Sequence, residues 1–371
     1  MNTTGLLVSS AAALIAVSNA RAADAVVAEP EPAEYVKICD LYGAGYFYIP
    51  GTETCLRVGG YVRYDIAAGD AGSFDGVNHV PDQKGNGNSS AWKKNARFTL
   101  KTWTGQQTEL GTLKTYTETR VSFGNSGGDY TIGGTNWQAR NKGLTLNFAW
   151  IQLGGLRVGK DESAFDTFIG YAGNVINDTL IPYGGFDTNV VQYYFDAGNG
   201  LTAVASVEEG SGADTIDSYV PHLVGGLKYK GHWWAITAVG AYNSNWEEWA
   251  GKARLDVNAT DRLTLFVMVG YGTDANTSTG RNFFKQWGGN VAIWGGGTYK
   301  INEKTSFNAQ ISCDQDKNLG VATNIAYDIV PGLKVTGELD YLNVGSKDTY
   351  NWTGATKKAN VGGIVRFQRS F

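Results

Sequence analysis

The chain has 371 residues, which is enough for one large β domain or for two or three domains of ordinary size. Its formal net charge of −4 at pH 7 argues against a nucleic-acid partner. Fifty glycines, about twice the usual share, together with 12% aromatic residues and only two Met, favour β structure with many turns.

Residues 1–22 have the pattern of a cleavable signal peptide. An apolar run at 5–17 precedes Ala-Arg-Ala at 20–22, which matches a cleavage site and places the mature start at Ala23. The region before the run lacks Lys and Arg, which departs from the pattern. A transmembrane helix is the alternative, but the run is shorter than the ~20 residues that a span needs. Because no later segment is apolar for that length, the sequence predicts a periplasmic or secreted protein, or an outer-membrane β-barrel.

Residues 23–54 are predicted to form a leader and a stapled segment ahead of the barrel. Residues 23–36 are rich in Pro, Glu and Ala and indicate a flexible leader. We expect Cys39 and Cys55 to pair in an oxidising compartment, and closing a loop of that size is worth about 3 kcal/mol. Two free thiols are the alternative. Cys313 is left over and is expected to face the lumen or a loop; no Cys-His spacing predicts a metal site.

From residue 55 to residue 371 the chain alternates apolar and polar residues, which is typical of β-strands. Most segments reach about ten residues, the length of a tilted strand that crosses a bilayer. The pattern predicts sixteen strands, near 56–68, 91–104, 109–123, 142–153, 155–160, 187–197, 199–209, 218–230, 231–243, 246–258, 261–273, 285–300, 303–313, 317–328, 332–344 and 359–371.

The predicted connections alternate between short turns, such as 105–108 and 154–155, and longer loops, which is how outer-membrane barrels are built. A soluble sandwich is the alternative, but it would not need export and strands of this length throughout. The last strand ends in Phe371 and is expected to pair with the first, which would remove both sheet edges. We also expect Phe371 to act as a C-terminal assembly signal. Six Trp residues near strand ends fit interfacial girdles: Trp92, Trp103, Trp137, Trp150, Trp287 and Trp352.

The stretch 160–188 is too long and too apolar for an ordinary connector. It is also acidic, with no Lys or Arg between Asp161 and Asp187. We predict that it folds into the barrel as a constriction loop, with these acids at the opening: Asp161, Glu162, Asp166, Asp178 and Asp187.

Cations on the first three strands share the parity opposite to the apolar residues. We predict that they line the pore wall and face the acidic loop, producing a transverse field: Arg63, Arg97, Lys101, Lys114 and Arg120. For each cation the alternative is an ordinary solvated residue of the lumen.

Several stretches of the mature chain resemble the alphaproteobacterial general porins of the rhizobial and Brucella type. These are IPGTETCLRVGGYVRYD at 49–65, TELGTLKTYTE at 108–118, IQLGGLRVG at 151–159, ESAFDTFIGYAGNVIND at 162–178, VGGLKY at 224–229, EEWAGKARLDVN at 247–258, QWGG at 286–289 and GIVRFQRSF at 363–371. The resemblance implies an all-β, sixteen-stranded antiparallel transmembrane barrel in the cell outer membrane. It also implies a homotrimer and an inward-folded third extracellular loop, and Cys39 and Cys55 match the family's pattern. The outward threonines at 115, 117 and 119 suit a contact between the subunits of a trimer, and an ordinary interfacial strand is the alternative.

These features predict a water-filled channel for passive diffusion of small hydrophilic solutes and ions. Unit charges ~10 Å apart in water interact by about 0.4 kcal/mol, and the Debye length is ~8 Å at physiological salt, so we expect a bias of only a few-fold for one ion sign. A substrate-preferring channel and a closed structural or surface-binding barrel are the alternatives. None of the three His residues has the setting of a catalytic base, so we predict neither an enzyme nor a cofactor. Expected partners are outer-membrane lipid, lipopolysaccharide and the outer-membrane assembly machinery.

Overall fold

The computed structural model describes residues 37–72, 76–125, 137–273, 282–345 and 357–371. The predicted signal peptide, the leader at 23–36 and Trp352 lie outside the described residues. No helix in these ranges is both long and apolar enough to cross a membrane.

Sixteen long strands form one sheet in which every neighbouring pair is antiparallel. Four shorter strands, Phe47–Tyr48, Val77–Pro81, Asn88–Ala91 and Arg140–Asn141, accompany them. The long strands are β1 (Cys55–Gly69), β2 (Lys93–Thr108), β3 (Gly111–Gly124), β4 (Thr145–Leu153), β5 (Leu156–Glu162), β6 (Asp187–Asp196), β7 (Leu201–Glu208), β8 (His222–Lys230), β9 (Trp234–Asn243), β10 (Glu248–Asn258), β11 (Leu263–Gly272), β12 (Val291–Lys300), β13 (Thr305–Asp314), β14 (Leu319–Val330), β15 (Leu333–Asn343) and β16 (Ala359–Ser370).

The last strand closes the sheet on the first, as the sequence predicts. β16 pairs with β1 from Ser370 opposite Tyr61 to Gly362 opposite Gly69. Beyond the strand, the Phe371 amide donates to the Gly60 carbonyl at 3.1 Å, and the Gly60 amide donates to the Phe371 carbonyl at 3.0 Å. The sheet is therefore a closed barrel without a free edge, which satisfies the backbone in a membrane.

The alternation of the sequence separates an inner from an outer face. In β6, Val190 and Gln192 are buried on the inner side, whereas Val191, Tyr193 and Phe195 point outward and are more than half exposed on the isolated chain. Apolar side chains outside and polar ones inside are typical of a barrel whose outer face meets lipid.

Turns of two to four residues join the strands at one end of the barrel and most connections at the other end are longer, as predicted; we call these the short-turn end and the long-loop end. The connections at 244–247 and 315–318 are short although they lie at the long-loop end. Three predicted boundaries are wrong by four residues or more. The strand predicted from 218 begins at His222. Residues 105–108 belong to β2, and Gly105 is there because a Cβ at this position would lie 2.7 Å from the Tyr42 ring. Residues 285–290 are not strand: the amides of Phe284 and Lys285 donate to the Asn282 side chain, so this apolar segment turns and packs inside.

The segment before β1 lies at the short-turn end. Cys39 and Cys55 form the predicted disulfide, with 6.0 Å between their Cα atoms, and both are buried. Phe47–Tyr48 pairs with the start of β1. Cys313 differs from its prediction: its side chain is exposed on the outward face of β13, because its neighbour Ser312 takes the buried inner face.

Candidate functional site

The connection between β5 and β6, residues 163–186, folds into the barrel as predicted; we call it the inner loop. It begins with a short helix, α1 (Ala164–Thr167), whose first turn is capped by the Ser163 hydroxyl, which accepts from the Phe165 amide at 3.1 Å. Phe165 packs edge-on against Phe284, with 5.4 Å between ring centroids, and is fully buried. The apolar side chains of the loop therefore hold it against one wall, instead of leaving it in solvent at the rim.

An ion pair buried inside the barrel anchors the start of the inner loop. Asp166 bonds to Lys252 of β10, and both side chains are 0% exposed. The Lys252 ammonium also donates to the Tyr183 carbonyl at 2.9 Å and lies 4.0 Å from the Phe165 ring centroid. Burial raises the pKa of the Asp166 carboxyl to about 6, although Lys252 acts in the opposite direction. The sequence predicts Asp166 at the opening, whereas in the structure its side chain is fully buried in this anchor.

A second anchor holds the middle of the inner loop. The Glu338 carboxylate of β15 accepts from the backbone amides of Ile176 at 2.5 Å and Asn177 at 2.7 Å, and from the Asn324 side chain at 2.8 Å. The neighbouring Asp340 accepts from the Asn177 amide group at 2.6 Å. Carboxylates that accept several N–H donors form the stronger class of hydrogen bond, so this contact fixes the loop backbone.

Further contacts fasten the loop along the same side of the barrel. Glu208 of β7 accepts from the Ala164 amide at 2.9 Å, and Arg254 of β10 donates to the Gly170 carbonyl at 3.1 Å. The Trp294 indole of β12 donates to the Ile181 carbonyl at 2.8 Å. The loop is thus bound to β7, β10, β12 and β15.

Four of the five predicted acids divide into two groups. Asp161 is buried and pairs with Arg157 at 2.7 Å, so it joins Asp166 as a structural residue and is not at the opening. Glu162 accepts from the Tyr171 hydroxyl, and Asp187, whose side chain is 60% exposed, pairs with Lys160.

Asp178 differs from both groups. It accepts from the Tyr183 hydroxyl at 2.6 Å and borders a recess of about 570 Å³ in the lumen. Burial, with Glu338 nearby, raises the pKa of the Asp178 carboxyl to about 6.

Four of the five predicted cations lie together on the facing wall. Arg63 and Arg97 are register partners that donate to neutral groups, Gln368 at 2.9 Å and Ser122 at 3.3 Å. The buried Glu118 carboxylate bridges Lys101 at 3.0 Å and Arg120 at 2.6 Å. We call these four cations the basic wall.

Lys114 lies apart from the basic wall, four residues along β3 from Glu118, or about 13 Å towards the short-turn end. Arg97 and Arg120 of the basic wall line a recess of about 410 Å³ together with Lys160 and Asp187.

The residues that receive the loop were not predictable from the sequence: Lys252, Glu208, Glu338 and Arg254. The same holds for Arg366 of β16, which pairs with Asp65 at 2.8 Å. Their inner parity was readable from the strand pattern. Parity places a side chain in the lumen without showing which loop residue meets it, so no sequence signal identified these pairs.

The closed barrel, its inward loop and its polar lumen are features of a channel, and comparisons with known proteins agree. The sequence profile of a family described as "Porin subfamily" matches residues 24–364. The chain belongs to this porin family. Over an alignment that covers 100% of both chains, it is 48% identical to proteins named porin Omp2b from Brucella canis, Brucella suis and Brucella abortus.

Two solved structures show a similar fold. The outer membrane channel DcaP of Acinetobacter baumannii matches with a TM-score of 0.58 and 16% identity, over 87% of this chain and 99% of that chain. A variant of the Rh. blastica porin matches with a TM-score of 0.54 and 13% identity, over 85% of this chain and 100% of that chain. The protein is an outer-membrane porin of the Brucella type, as the sequence motifs predict, and its strands span the membrane.

Proposed function

We propose that this porin conducts small hydrophilic solutes and ions through a passage between the inner loop and the basic wall. One observation carries the proposal: the loop is fastened to β7, β10, β12 and β15, so the unfilled part of the lumen lies beside β1, β2 and β3. A sixteen-stranded barrel is wide enough to keep an aqueous channel when one side is filled.

The charges at this passage support weak ion selectivity. On the loop side the acids that remain for the opening are Glu162, Asp178 and Asp187, since Asp161 and Asp166 are used in buried ion pairs. On the wall, Glu118 offsets part of the charge of Lys101 and Arg120. Opposite charges across a passage partly cancel along its axis, so we propose a bias of a few-fold at physiological salt.

Reversal potentials in planar bilayers test this assignment. Glu162→Gln should shift ion selectivity towards anions and Arg97→Gln towards cations, each by a few-fold at most, because exposed charges are screened. Glu303→Gln, on a short turn away from the passage, is the matched control. If neither variant at the passage changes selectivity, the proposed lining is wrong.

The same bilayers separate the alternatives. Stepwise conductance without preferential block supports general diffusion. Saturable block by one solute among many of similar size would favour a substrate-preferring channel. A folded protein without any stepwise conductance would favour a closed structural barrel.

We infer that the protein is a homotrimer that associates through the outward face of β2 and β3. Cross-strand hydroxyl pairs lie there, Thr102 with Thr117 and Thr104 with Thr115, each with 2.6 Å between oxygens. Hydroxyls on a membrane-spanning face are better accommodated against protein than against hydrocarbon. Disulfide crosslinking of Thr117→Cys should yield a species larger than the monomer, whereas Thr336→Cys, which faces inward, should not.

We further propose export by a signal peptide at 1–22, assembly through Phe371 by the outer-membrane machinery, and contact with lipopolysaccharide and lipid. Phe371 is 58% exposed, so its ring is accessible as well as its backbone being paired. Deleting Phe371 should lower the yield of assembled barrel in cells more than it lowers refolding in detergent. Equal losses in both would contradict a signalling role.

A further inference from the structure

Three aromatic residues and two arginines form a continuous row across the inner wall near the short-turn end. Strand register places Arg57 opposite Trp103, Trp103 opposite Tyr116, and Tyr116 opposite Trp150. The Trp103 and Tyr116 rings are stacked with 5.4 Å between centroids, and Tyr116 and Trp150 are 5.7 Å apart. The guanidinium carbon of Arg57 lies 4.7 Å from the Trp103 centroid and that of Arg157 lies 4.0 Å from the Trp150 centroid. We call these five residues the aromatic row.

The aromatic row faces the lumen, not the membrane. Tyr116 shares a face of β3 with the buried Glu118, and Trp103 shares a face of β2 with Lys101. The prediction of an interfacial girdle is therefore wrong for Trp103 and Trp150, and also for Trp287, which is fully buried.

The rings of the aromatic row differ in their surroundings from the outward aromatic side chains and from the rings that are buried inside the barrel. Outward rings such as Tyr193 meet lipid, and rings of the inner loop such as Tyr183 are fully buried. Trp103, Tyr116 and Trp150 are instead partly exposed on the lumen side. Aromatic side chains carry roughly 150–250 Å² of surface each, so these partly exposed rings offer apolar area that a passing solute can cover.

The two arginines are not equivalent. Arg157 donates to Asp161 at 2.7 Å and to Gln152 at 2.8 and 2.9 Å, so its charge is offset and its donors are occupied. Arg57 is exposed, and its guanidinium is bracketed between Trp103 and the segment stapled by the disulfide, where a Cβ on Gly45 would lie 3.8 Å from its Nε. Arg57 therefore presents an accessible positive charge at one end of a row of rings.

We propose that the aromatic row is a weak binding site for planar aromatic carboxylates that pass through the pore. The solute ring packs against Trp103, Tyr116 and Trp150, and its carboxylate bonds to the Arg57 guanidinium. Aromatic side chains stack better on a flat ring than on a puckered one. The forked N–H donors of Arg bind a carboxylate more strongly than a neutral group.

Single-channel recording with the full-length porin in planar bilayers tests the site. The inference rests on the proposed function only because the lumen must conduct for block to be measured. The probe is sodium benzoate. Sodium cyclohexanecarboxylate matches its charge without a flat ring, and benzamide matches the ring without the charge. Benzoate should reduce the current in a saturable way, and each of the other two should do so at clearly higher concentration.

Two variants locate the site. Trp103→Leu combined with Trp150→Leu should raise the benzoate concentration for half-block by about three- to tenfold. Arg57→Gln should weaken block by benzoate and leave block by benzamide unchanged. Trp249→Leu, which removes an outward ring on β10, is the matched control and should change neither.

The inference is overturned if benzoate and cyclohexanecarboxylate block equally, because that is a general effect of anions. It is also overturned if both row variants leave benzoate block unchanged. Absence of any conductance in the unmodified protein would instead contradict the proposed function, so the two failures are distinguishable.

Discussion

Replacing Lys252 with Met tests whether the buried ion pair holds the inner loop in place. The substitution keeps most of the side-chain volume and removes the cation that faces Asp166. Both side chains are 0% exposed, so solvent does not screen the charge of Asp166 that is left without a partner. Removing one partner of a buried pair costs about 3–5 kcal/mol, which would shift the balance between docked and undocked loop by about a hundred- to a few-thousandfold.

The barrel itself is closed by sixteen strands, so we expect the loop to move rather than the wall to unfold. Single-channel conductance should rise and become noisier, and chymotrypsin should cleave at Phe165, which is fully buried in the docked loop. In this variant the Asp166 carboxylate can be neutralised by taking up a proton, which lowers the cost of its burial. The effect should therefore be larger at pH 8 than at pH 5, since the pKa of Asp166 is already raised to about 6 in the intact pair.

Two controls make the result specific. Asp166→Asn combined with Lys252→Met removes both charges and should recover much of the docking. Lys334→Met breaks an exposed pair with Asp328 and should leave chymotrypsin cleavage unchanged, because such pairs contribute about 0–1 kcal/mol. If Lys252→Met leaves both conductance and cleavage unchanged at pH 8, the ion pair does not anchor the loop.

Three further predictions concern Asp178, Glu338 and the disulfide between Cys39 and Cys55. Because the pKa of Asp178 is raised from the usual 3.8 to about 6, its carboxyl takes up a proton in the docked loop as pH falls through that window, which favours docking at lower pH. Reversal potentials should accordingly move towards anions between pH 7 and pH 5, and a shift of the same size in Asp178→Asn would contradict this origin. Glu338→Gln should loosen the loop by about 1.5–3 kcal/mol and speed chymotrypsin cleavage, with Glu303→Gln as the unaffected control. Cys39→Ser combined with Cys55→Ser should lower the free energy of unfolding in denaturant by about 3 kcal/mol, and no measurable loss would show that the staple is not stabilising.

The sequence by itself determined the wall of this protein. An alternation of period two assigns each side chain to the inner or outer face, so the sixteen strands, their closure through the last strand and the inner position of Arg63, Arg97 and Arg120 were all predictable. The inward loop was predictable as well, because an apolar connector of that length must be buried against something. Errors at this level are local: the sequence predicts Gly105 in a turn, although it lies in β2 and accommodates the Tyr42 ring.

Only the tertiary structure decided which groups meet inside the barrel. Asp161 and Glu162 are adjacent in sequence, yet the first is buried against Arg157 and the second accepts from Tyr171. Asp166 pairs with Lys252, which lies 86 residues away in the sequence. The curvature of the barrel sets the height at which each inner side chain lies and the direction in which it points. The alternation of the sequence gives neither the height nor the direction of a side chain, because all inner residues of the sixteen strands have the same parity. The opening is therefore defined by where the loop is fastened, which depends on the closed shape of the whole barrel.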